Sequence, residues 1–153
     1  MITSTVLQQA EYPDKIFSYD LTFLRDSLLE KKLVAEIDVD AAILELRRFF
    51  AVSFILNEPT PMLSSVVDQA WHQFILFSKR YFDFCRDIFS GGYLHHTPLV
   101  RSEENQSDLQ RRAEGFLSQY RLLFGDTGTL WDKASVGSKC CTDCHSSDCA
   151  SCN

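Results

Sequence analysis

Val39, Ile43, Leu46, Phe50 and Phe54 recur at steps of three and four residues, and this period constrains the chain more than any other feature. Such steps put apolar side chains on one stripe of a 3.6-residue helix, whereas a half-buried strand needs strict alternation. The same spacing returns in three other stretches. Leu21, Leu24, Leu28 and Ala35 predict a first helix over about 20 to 34, with Asp20 as its cap. The opening stripe predicts a second helix over about 38 to 56, stopped by Asn57-Glu58-Pro59-Thr60-Pro61, because proline lacks the N–H and biases its predecessor away from helix.

Ser64 or Ser65 caps a third helix, read as continuous over about 65 to 89. Val66, Val67, Trp71, Phe74, Ile75, Phe77, Tyr81, Phe84 and Ile88 almost encircle it, which predicts the central helix of the fold. Gly91-Gly92 ends it. A fourth helix over about 103 to 124 faces Leu109, Ala113, Phe116, Tyr120 and Leu123 inward, and Gly125 terminates it. Leu130-Trp131 packs back onto the body. No strand or repeat is evident, and six glycines and four prolines in 153 residues favour helices. The expected fold is all-α: a single compact bundle of about four main helices over residues 1–132, then a flexible, disordered Cys-rich tail over 133–153.

A net charge of −6 disfavours nucleic acid, whose binders use basic patches against phosphate. The basic pairs Lys31-Lys32, Arg47-Arg48 and Arg111-Arg112 sit beside acids in helical patterns and read as solvated faces. The first fifteen residues lack the basic and apolar regions of a secretory signal. The most apolar run, Phe49 to Leu56, is far shorter than the roughly 20 residues that span a bilayer. The expectation is a cytoplasmic protein with no membrane and no nucleic-acid partner. In a reducing compartment its cysteines read as thiols or metal ligands.

Asp68 and His72 stand four apart, on one helix face, where carboxylate and imidazole can share a metal or simply hydrogen-bond each other. His95-His96 follows on a glycine-hinged return, with Pro98 fixing its exit. A continuous helix from His72 to Phe89 is roughly 25 Å long. The six residues from Phe89 to His95 reach back about 20 Å when extended. This spacing counts against a site joining Asp68, His72 and His95, and the loop histidines read instead as locks on backbone groups. Cys85 falls on the packing stripe of Trp71, Phe74 and Tyr81 and reads as a small hydrophobe. No Ser–His–Asp order, phosphate loop or His-Glu-x-x-His motif is present.

Five of the six cysteines fall between Cys140 and Cys152. Cys141-x-x-Cys144 and Cys149-x-x-Cys152 form two hooks that together supply four thiolates to Zn²⁺ or Cu(I), with Cys140 and His145 as spare ligands. Four residues between hooks is short for a folded zinc ribbon.

Val67-Asp68-Gln-Ala-Trp71-His72-Gln-Phe74, Tyr81-Phe-Asp-Phe84-Cys85, Leu94-His95-His96-Thr-Pro98, Tyr120-Arg-Leu-Leu-Phe124-Gly125 and Trp131 form a compound motif. It resembles the glycine-rich domain-containing protein-like family, a helical domain of bacteria and plants, over roughly residues 38 to 131. Longer plant forms carry a second His where this chain has Phe74, so a ligand role there is absent. Short bacterial forms look closer, with Phe at that place and often a Cys- or Gly-rich tail. The resemblance implies the helical fold and marks Asp68, Trp71, His72, Cys85, His95 and His96; it implies no substrate.

Three functions follow as expectations. The first is a metal-binding protein whose tail buffers Zn or Cu(I) or delivers it to a metal-receiving protein. The second is a recognition domain whose tail a partner enzyme modifies. The third is an enzyme using Asp68, His72, His95 and His96, which requires His72 within about 12 Å of a loop histidine so that acid and base reach one substrate.

Overall fold

The computed structural model describes residues 11–97 and 105–131, and among them every regular element is helical. The order is α1 (Lys15–Ser18), α2 (Thr22–Glu30), a 3₁₀ turn (Glu36–Asp38), α3 (Val39–Leu56), α4 (Ser65–Leu76), α5 (Ser78–Ile88) and α6 (Gln106–Phe124). The all-α expectation holds. The expected tail over 133–153 lies outside the described residues, as does Pro98.

Local signals set most boundaries. Asp20 Oδ1 accepts from the Thr22 N–H at 3.0 Å, which opens α2. That bond holds the Asp20 carboxyl below its usual range. Ser64 Oγ accepts from the Val67 N–H at 3.3 Å and caps α4. Asn57 closes α3 in the left-handed region, at φ 48°, just ahead of Pro59. Gly125 closes α6 at φ 82°, a conformation costly for other residues.

The third expected helix is two helices. Phe77, at φ −80° and ψ 60°, leaves the helical region, and the chain doubles back there. Two rings demonstrate the reversal. Phe74 and Phe84 lie ten residues apart, about 15 Å along a continuous helix, yet their centroids are 5.3 Å apart. The cause is tertiary: Phe77 packs edge-on against Phe23 of α2 at 4.9 Å, and Phe74 lies 5.8 Å from the same ring. Folding back lets Tyr81, Phe84, Cys85 and Ile88 share a core with Trp71 and Phe74.

The central helix is accordingly α3, which packs against α1, α2, α4 and α6. Phe49 and Phe50 are fully buried among Trp71, Phe74, Phe84, Phe116 and Trp131. Each fully buried Phe contributes about 1.5–3 kcal/mol of transfer free energy. The α4–α5 segment is not buried all round, since Leu76 and Phe82 face solvent.

The Arg47-Arg48 pair is not a solvated face. The Arg47 guanidinium donates to the carbonyls of Ile16 at 2.6 Å and Tyr19 at 2.8 Å, tying the N-terminal turn to α3. Arg48 donates to Glu45 Oε1 at 2.8 Å and to the Tyr120 hydroxyl at 3.0 Å. Glu45 Oε2 also accepts from the Tyr120 hydroxyl and from Trp131 Nε1, both at 2.6 Å. This buried node joins α3, α6 and the segment after α6, and it packs Trp131 back as the sequence predicts.

Candidate metal centre

Asp68 and His72 belong to α4, one turn apart, with Asp68 Oδ2 at 3.5 Å from His72 Nδ1. His96 reaches them from the return after α5. Ser90 and Gly91 take positive φ, 51° and 85°, and swing the chain off the end of α5. The Tyr81 hydroxyl then donates to the Leu94 carbonyl at 2.5 Å while accepting from Trp71 Nε1 at 3.0 Å. Two buried side chains of α4 and α5 thus fix the backbone two residues before His96. The His96 ring lies 4.4 Å from the Trp71 ring and 4.2 Å from the His72 ring. Its Nε2 sits 2.6 Å from Asp68 Oδ1.

Asp68, His72 and His96 each offer one ligand atom within 4.8 Å of the other two. The carboxylate bridges the rings, one oxygen toward each. The His96 side chain is nearly covered, at 11% exposure, whereas that of His72 is 50% exposed, so the cluster opens to solvent on the His72 side.

His95 stays out of the cluster, as the spacing predicts, but His96 enters it because 65–89 is not one rod. The break at Phe77 brings His96 back beside His72, well inside the approach that an enzymatic reading requires. His95 is placed elsewhere; it is exposed, with its ring 4.8 Å from Tyr93. Cys85 is buried in the core, and burial pushes its thiol up, away from the thiolate a nucleophile needs. The tail candidates Cys140, Cys141, Cys144, His145, Cys149 and Cys152 lie outside the described residues.

Sequence reasoning passed over Tyr81 as a positioning group and Glu45 as the centre of a node. Neither partnership has a local spacing to reveal it.

The chain matches the sequence profile of a family described as UCP032817-like over residues 6–122. Comparison with curated proteins and with solved structures finds no match.

Proposed function

The chain belongs to the UCP032817-like family, and we propose that it is a metal-binding protein whose helical body holds one divalent transition ion, such as Zn²⁺, between Asp68, His72 and His96. One observation carries the reading. Three ligand-type side chains from two separate segments meet within 4.8 Å, and a paired tyrosine and tryptophan hold the incoming segment in place. Tetrahedral zinc with N and O ligands at about 2.0–2.2 Å needs donor atoms about 3.3 Å apart. The cluster would have to draw its wider pairs together and part the 2.6 Å Asp68–His96 contact to reach that spacing. Three protein donors leave one position open, as zinc sites that exchange ligands do. The thiolates of Cys140, Cys141, Cys144, Cys149 and Cys152, with His145, form a second donor set suited to Zn²⁺ or Cu(I).

The 2.6 Å Asp68–His96 contact favours a second reading, in which the carboxylate only clasps the return loop through imidazole N–H groups. Elemental analysis with native mass spectrometry separates the two. The wild-type chain should carry one Zn²⁺ more than the D68N/H72A/H96A variant. A variant in which all five tail cysteines are serine should still take up one equivalent. If that tail-serine variant stays empty at saturating Zn²⁺, the body site is a clasp only.

A further inference from the structure

We infer that an ion at the Asp68–His72–His96 site latches residues 90–97 as a strap onto α4 and α5, so that release of the ion lets the strap lift. The inference rests on the metal-binding reading above and names the movement that such a site would control.

The strap has no regular structure beyond its first turn. It begins at Ser90 and Gly91, both at positive φ, and φ 51° is costly for a serine. Alternate residues lie against the body: Leu94 and His96 are partly covered, while Tyr93, His95 and Thr97 are exposed. Among the described residues, no backbone–backbone hydrogen bond joins 93–97 to a helix. Side chains hold the strap instead, at two points. The first is Leu94, whose carbonyl accepts from the buried Tyr81 hydroxyl of α5. The second is His96, which meets Asp68 and Trp71 of α4.

A segment with few buried contacts and no hydrogen-bonded ladder opens locally at small cost. Lifting the strap withdraws His96, one of the three donors, and leaves Asp68 and His72 on a single helix turn. The lifted form therefore binds an ion more weakly. By linkage, the ion favours the closed form by that same ratio of affinities. If the lifted form does not bind, an ion at a hundred times its dissociation constant shifts the balance about 100-fold. Without the ion, this point rests on the contact between His96 and the partly exposed Asp68, and partly solvated pairs are weak.

Cys85 lies beneath the strap and reports its position. It is 1% exposed, and its polar neighbours are the Leu94 backbone and the Tyr81 hydroxyl. Lifting Leu94 uncovers it.

Thiol labelling of the full chain tests the latch. Changing the five tail cysteines to serine leaves Cys85 as the single thiol. With an aromatic disulfide, the Cys85 thiolate attacks one sulfur, the S–S bond breaks, a coloured aryl thiolate leaves and the thiol proton passes to solvent. Zn²⁺ uptake is followed alongside by native mass spectrometry. Saturating Zn²⁺ should slow the reaction about tenfold or more. The metal-free rate should change little in low urea, because lifting a strap exposes little surface. H96A on the same background should react at the faster rate with and without Zn²⁺, its far-ultraviolet circular dichroism unchanged. Zn²⁺ bound with no change in rate would overturn the latch and leave the metal site standing. Protection by Zn²⁺ retained in H96A would also overturn it. So would a rate that climbs with urea as steeply as global unfolding, since the thiol would then report the whole body opening. Absence of Zn²⁺ binding would remove the metal reading and the latch with it.

Discussion

Glu45 and Asp68 are both helix carboxylates that join distant segments, yet their surroundings assign them opposite roles. Glu45 is buried, and its oxygens accept from Arg48, Tyr120 and Trp131 at 2.6–2.8 Å. An indole or guanidinium can only donate, so neither can exchange that role for a metal. Asp68 is half-exposed, and its two oxygens face two imidazoles. An imidazole nitrogen donates when protonated and ligates when bare. The lesson is that the partner's chemistry, more than the carboxylate or the distance, separates a closed structural joint from a cluster of ligand-type groups.

The largest predicted effect is on the closed joint. Glu45→Ala strands Arg48, Tyr120 and Trp131 and should cost about 3–5 kcal/mol in urea unfolding. A cost near that of an ordinary surface change would break the comparison. Alkaline pH probes the same node. Burial and the hydrogen bond to Glu45 push the Tyr120 hydroxyl from its usual 10.0 up to about 12. The unfolded tyrosine therefore ionises first. The stability that Tyr120 contributes is complete below pH 10 and is lost as pH rises toward about 12, on the order of 1–2 kcal/mol. Tyr120→Phe should make that part of the stability–pH curve shallower. Burial raises Tyr81 as well, so part of the decline above pH 10 should persist in the variant.

Tyr81→Phe moves to the open site. It should cost about 1 kcal/mol of stability. By releasing Leu94, it should also weaken Zn²⁺ binding about 10- to 100-fold by calorimetric titration. An unchanged affinity would reduce Tyr81 to a packing residue. Asp68→Asn should have the smallest effect on stability, within about 1 kcal/mol, because Asp68 and His72 are partly solvated. Metal uptake should nonetheless fall.

What the sequence disclosed depended on whether the signal was local. The ends of α3 and α6 were legible because Asn57 with Pro59 and Gly125 are punctuation. The Asp68–His72 pair was legible because four residues is one helical turn. The break at Phe77 carries no glycine or proline, and its polar hint is the short run Ser78-Lys79-Arg80. Its cause, the Phe77–Phe23 contact, spans 54 positions and no local window contains it. Because that turn went unread, the arrival of His96 at His72 went unread with it. The Glu45 node was hidden for a similar reason, since Glu45 and Trp131 lie 86 positions apart. Arg48 beside an acid looks like any solvated pair until Tyr120 and Trp131 close over it.

The most direct measurement is a Zn²⁺ titration of the imidazole resonances of the four histidines by nuclear magnetic resonance on the full chain. His72 and His96 should shift together and saturate at one equivalent, while His95, turned toward Tyr93, stays unmoved. Shifts confined to His145, or no shift at His72 and His96 at saturating Zn²⁺, would contradict the account.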